Sequence, residues 1–67
     1  MKDYKQFTIK GDEVAYWEYD AMYEYLYFYD ENDLFLDYAS YPINNFKALA
    51  SKSNKEQWNE LAIAYGD

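Results

Sequence analysis

Residues 23–38, Tyr-Glu-Tyr-Leu-Tyr-Phe-Tyr-Asp-Glu-Asn-Asp-Leu-Phe-Leu-Asp-Tyr, hold five tyrosines and five acids in sixteen positions, with no basic residue among them. Tyrosine recurs at 23, 25, 27 and 29, and a period of two over strand-favouring residues is the mark of a β-strand. Asp30-Glu31-Asn32-Asp33 then breaks the pattern as a turn, and Leu34 to Tyr38 reads as the returning strand. Because alternate strand residues face opposite ways, Tyr23, Tyr25, Tyr27 and Tyr29 form a row, with Glu24, Leu26 and Phe28 behind it. The hairpin register decides which side is core. A two-residue Glu31-Asn32 loop sets Tyr29 opposite Leu34, Tyr27 opposite Leu36 and Tyr25 opposite Tyr38, which makes the tyrosine side the apolar one. A three-residue loop with a bulge sets Phe28 opposite Leu34 and Leu26 opposite Leu36, leaving the tyrosines outside beside Phe35 and Asp37. Both readings stand at this level.

Upstream, Phe7 and Ile9 alternate with polar neighbours before Lys10-Gly11-Asp12, a strand over 4–10 and a turn, and residues 13–20 are rich in β-branched and aromatic types. A helix over 13–29 is the rival, since Val14, Trp17, Ala21 and Tyr25 share a helical face. Beyond Pro42 the period changes. Ile43, Phe46, Leu49 and Ala50 recur at helical spacing, Ser51 to Asn54 interrupts, and Trp58, Leu61, Ala62 and Tyr65 resume it up to Gly66. Asn54 is placed to cap the second helix with Gln57 as its capping-box partner, and Gly66 to end it. The expected fold is α+β, a small antiparallel sheet of about four strands over residues 4–38 followed by two short helices, about 43–51 and 55–65, packed on one face.

Residues 1–67 suffice for one domain, near the size at which a single core can hold without staples. The chain has no cysteine and no histidine, so disulfides, thiolate or imidazole metal sites and His-dependent nucleophile pairs are excluded. Aromatics make up 24% of the residues, enough to build a compact core from large rings. No apolar run is long enough to span a bilayer and the first residues lack a signal-peptide segment, so the chain reads as cytoplasmic.

The net charge of −7 is concentrated. Asp12, Glu13, Glu18, Asp20, Glu24, Asp30, Glu31, Asp33 and Asp37 lie in residues 12–37 without one lysine, and arginine is missing from the whole chain. Direct binding to nucleic acid or to an anionic membrane is therefore not expected, for want of phosphate-neutralising groups. A surface built for solubility alone intersperses charge signs, whereas this one is suited to basic surfaces. Ten tyrosines also exceed what so small a core can bury, and exposed tyrosine favours interfaces.

Size, charge and composition together resemble the acidic, cysteine-free phage proteins that inhibit host defence, the anti-CRISPR and anti-restriction proteins that act as DNA mimics. The resemblance implies a non-enzymatic inhibitor, a monomer or homodimer in the host cytoplasm. Its partner would be a host protein with a basic nucleic-acid-binding surface, such as a CRISPR effector or restriction enzyme. The nine acids named above and Tyr23, Tyr25, Tyr27 and Tyr29 are the expected contact residues. The alternative is an interaction module, antitoxin-like or a transcription adaptor, that presents a tyrosine face or Trp17 to one partner. Neither needs a cofactor or a metal. Asp30 to Tyr41 has the outline of a calcium loop, but Phe35 stands where the turn glycine belongs and Tyr41 where the bidentate glutamate belongs. Catalysis finds no support, since a chain this small does not readily build a cleft around paired carboxylates, and two glycines cannot make a phosphate loop.

Overall fold

In the computed structural model, which describes residues 7–67, five strands precede two helices: β1 Thr8–Ile9, β2 Asp12–Glu13, β3 Tyr16–Asp20, β4 Tyr25–Tyr29, β5 Phe35–Ser40, α1 Ile43–Ala50 and α2 Asn54–Tyr65. The α+β expectation holds, with the strands split between a two-stranded ribbon, β1–β2, and a three-stranded antiparallel meander, β3–β4–β5. The split arises where the chain changes partner. Val14 donates its N–H back to the Phe7 carbonyl at 3.0 Å, whereas the next residue, Ala15, donates to the Tyr29 carbonyl at 2.8 Å. Of the strand expected over 4–10, residues 4–6 lie outside the described residues, and Thr8–Ile9 is the strand seen. Its turn has positive φ at both central residues, Lys10 at 53° and Gly11 at 87°, as a two-residue type I′ hairpin requires.

The rival helix over 13–29 does not form. Asp20 Oδ1 accepts the N–H groups of Met22 and Tyr23 at 2.9 and 3.2 Å, and Glu24 takes φ of 58°, so the chain reverses between β3 and β4. An aspartate that bonds to the backbone two residues on offers a turn in place of a helical step. The strands then pair from Tyr16↔Tyr29 through Trp17↔Phe28 to Asp20↔Tyr25.

Neither expected β4–β5 pairing is found. Asp30 Oδ1 accepts from Asn32 and Leu34 at 2.8 and 2.9 Å, Asp33 adopts φ of 64°, and the loop takes up five residues, 30–34. Tyr29 therefore faces Phe35, and after a bulge that absorbs Leu36, Phe28 faces Asp37, Tyr27 faces Tyr38 and Leu26 faces Ala39. One extra residue on the bulged strand restores the alternation. Leu26 and Phe28 are fully buried, so the tyrosine row turns outward, the orientation of the second reading reached by a different register.

The inward face and the helices share one core of Phe7, Ile9, Val14, Leu26, Phe28, Tyr41, Leu49, Trp58 and Leu61. Phe7 sits edge-on to both Phe28 and Trp58, at centroid distances of 5.9 and 5.8 Å. Tyr19 of β3 stacks on Phe46 of α1 at 4.0 Å and donates its hydroxyl to the Tyr41 carbonyl at 2.7 Å, fastening the sheet to the first helix. Each aromatic pair of this kind adds about 0.5–1.5 kcal/mol to plain burial.

The caps differ from expectation by one residue. Ser53, not Asn54, caps α2; its hydroxyl accepts the Glu56 N–H, and Glu56 Oε1 accepts the Ser53 N–H at 3.2 Å, closing a capping box. Gln57, expected in that box, instead donates its side-chain amide to the carbonyls of Leu49 and Lys52, both at 3.1 Å, and so closes the end of α1. Gly66 ends α2 with φ of −68°, outside the left-handed region. A glycine is needed there because a Cβ would lie 2.6 Å from the Ala62 carbonyl oxygen and 3.2 Å from Phe7 Cβ.

Candidate functional site

With the helices against one side of the meander, its other side carries nine residues in three registered rows. Tyr16, Tyr29 and Phe35 lie abreast; Glu18, Tyr27 and Tyr38 lie abreast; Asp20, Tyr25 and Ser40 lie abreast. Six of the nine are aromatic, two are acids and none is basic. The open face of an antiparallel sheet is ordinarily polar. Here Tyr38 is 57% exposed, Phe35 49% and Tyr25 37%, so this face leaves large aromatic rings to solvent.

The rings support one another. Tyr16 stacks on Tyr29 at 4.9 Å with 16° between planes, and Phe35 meets Tyr27 and Tyr29 at 6.3 and 6.1 Å. Tyr16 donates its hydroxyl to Asp33 Oδ1 at 2.8 Å, and that bond, ahead of desolvation and the neighbouring charges of Asp33 and Glu18, pushes its hydroxyl up to about 12. Desolvation first, then Asp20, raises the Tyr27 hydroxyl as well. Both phenols therefore remain protonated donors near neutral pH. Burial likewise raises Tyr19, Tyr41 and Tyr65 on the inner side.

Of the expected contact residues, Tyr25, Tyr27 and Tyr29 take their places on this face and Tyr23 does not. It sits in the β3–β4 turn, 67% exposed, beside Met22 at 81%. Trp17, named in the alternative reading, lies on the inward side opposite Phe28 and packs on the core.

The acids divide by what their carboxylates do. Asp20 and Asp30 organise the two turns, and Asp33 holds Tyr16. Asp37, opposite inward-facing Phe28, accepts the Tyr38 N–H at 2.8 Å and pairs with Lys10 at 3.7 Å. Glu24 reaches the helical layer, where Oε2 accepts the Ile43 N–H at 2.6 Å and completes the start of α1, whose N-cap Pro42 has no side chain to do so. Asp12, Glu13, Glu18 and Glu31 are exposed and accept no side-chain hydrogen bond among the described residues. The nine acids thus do not form one row of free charges. Among the described residues, no group of three or more acids is arranged to hold a metal ion, and no helix is long and apolar enough to cross a membrane.

Sequence reasoning did not name Tyr16, Phe35 or Tyr38 as contact residues, although one register set Phe35 beside the outward tyrosines and the other set Tyr38 opposite Tyr25. The alternation of Tyr16 and Glu18 with inward Trp17 and Tyr19 contained the signal for the first. The other two depended on the bulge.

No protein-family model matches the chain, and no curated protein or solved structure is detectably similar to it.

Proposed function

We propose that this chain is a non-enzymatic binding protein that docks its open aromatic sheet face on a basic surface of a partner protein. The most specific form of the proposal is an inhibitor of a host nucleic-acid enzyme, such as a CRISPR effector or restriction enzyme, acting by covering the surface that nucleic acid would use. The observation that carries it is the composition of the outward face: six aromatic rings, Glu18, Asp20 and one serine, with the lysines of the described residues placed on the β1–β2 turn and in the helical region. Tyrosine at the centre of a patch and charge at its border is the usual division between anchoring and steering at protein interfaces. Steric cover is better supported than strict phosphate mimicry, since Glu24 and Asp37 are committed to contacts within the fold.

The test is capture from a host lysate with wild-type chain and with a Tyr25→Ala/Tyr38→Ala variant, washed at low salt and then at roughly 0.5 M salt, where screening shortens to a few Å. The expected result is retention of basic nucleic-acid-binding proteins at low salt, their release at high salt, and their loss with the variant. A partner retained equally by the variant refutes the docking face.

A further inference from the structure

Four rings of the outer face close a circuit. Tyr25 to Tyr27 is 6.4 Å between centroids, Tyr27 to Phe35 6.3 Å, Phe35 to Tyr38 6.4 Å, and Tyr38 back to Tyr25 5.5 Å. A cation is attracted to an aromatic face within about 6 Å of its centroid, and one resting over the middle of a circuit this size falls within about that distance of all four rings. Negative charge borders the circuit on the β3 side: Glu18 lies opposite Tyr27 in the register, and Asp20 Oδ2 lies 3.5 Å from the Tyr27 hydroxyl. Among the described residues, no cation lies there. Lys10 is at the β1–β2 turn beside Asp37, Lys47 is in α1, Lys52 pairs with Glu60 and Lys55 is in α2.

We infer that this circuit is the seat for an arginine side chain of the partner, its guanidinium stacked over Phe35 and Tyr38, whose planes lie 26° apart, and flanked by Tyr25 and Tyr27, with Glu18 as counter-ion. This rests on the reading that the face meets a basic protein. Arginine is chosen over lysine because the seat is open and lies on a sheet surface. A planar, weakly hydrated guanidinium can stack on such rings while its edge donates to a carboxylate, whereas an ammonium gives up more hydration for a point contact.

The experiment is an NMR titration of the whole chain at low salt with three five-residue glycine peptides that carry arginine, lysine or neutral citrulline at the centre. The arginine peptide is expected to give saturable shifts at the ring protons of the four aromatics, several-fold tighter than lysine, with none from citrulline. Tyr38→Ala or Glu18→Gln should each weaken it at least about threefold. Arginine shifts confined to Asp12, Glu13 and Glu31, or equal binding of arginine and lysine peptides, overturn the seat but leave a basic partner in place. Binding by citrulline as tight as by arginine overturns the seat and the basic-partner reading together. The absence of saturable shifts with tens-of-millimolar arginine peptide overturns the seat, while the lysate capture decides the wider reading independently.

Discussion

Replacing Glu24 separates an acid that builds the fold from acids left for a partner. Its carboxylate accepts the Ile43 N–H at 2.6 Å at the first turn of α1, where Pro42 offers no capping side chain and no acid occupies that turn. A hydrogen bond to a charged group is worth about 1.5–3 kcal/mol, and a negative charge at a helix N-terminus adds about 0.3–1 kcal/mol. Glu24 is half-buried, which trims both figures, and removing one of nine clustered acids returns a few tenths through weaker repulsion. Glu24→Ala should therefore cost about 2 kcal/mol. The backbone bond from Tyr41 N–H to the Glu24 carbonyl, 2.8 Å, survives the change, so the loss reports the carboxylate. Domains of this size hold roughly 3–10 kcal/mol in all, so the loss should be plain in urea unfolding followed by tryptophan fluorescence and should lower Tm by roughly 8–16 °C. Glu18→Ala, exposed and without a side-chain hydrogen bond, is the control and should stay within about 0.5 kcal/mol of the parent. If Glu24→Ala matches Glu18→Ala at unchanged m-value, the capping argument is wrong.

The Tyr16 hydroxyl, pushed up to about 12 mainly by its bond to Asp33, should fall toward the ordinary value near 10 in Asp33→Asn. Because the folded value is raised, this contribution to stability is fully present below about pH 10 and is lost as pH climbs through 12; ultraviolet titration against Tyr16→Phe checks it. Adding a Cβ at Gly66 meets backbone oxygen at 2.6 Å, so Gly66→Ala should cost about 1–3 kcal/mol, whereas Gly11→Ala, with open space around it, loses only the roughly 1 kcal/mol of its left-handed φ. Equal thermal shifts for the two glycine variants would contradict that distinction.

The sequence by itself determined the α+β order, the boundaries of both helices to within a residue or so, the antiparallel hairpins and the charge segregation. These follow from periodicities of 2 and 3.6 and from composition, which are local properties. Tertiary structure alone decided that the tyrosine row faces outward. A strand's faces exchange with one residue of slip, and the slip here is set by Asp30 drawing Asn32 and Leu34 into a five-residue loop and by the bulge at Leu36, neither of which periodicity encodes. It also decided which acids are free. Glu24 looks like its neighbours in the chain, but its positive φ and the unfilled cap of α1, nineteen residues on, turn it from surface charge into a fold-closing contact.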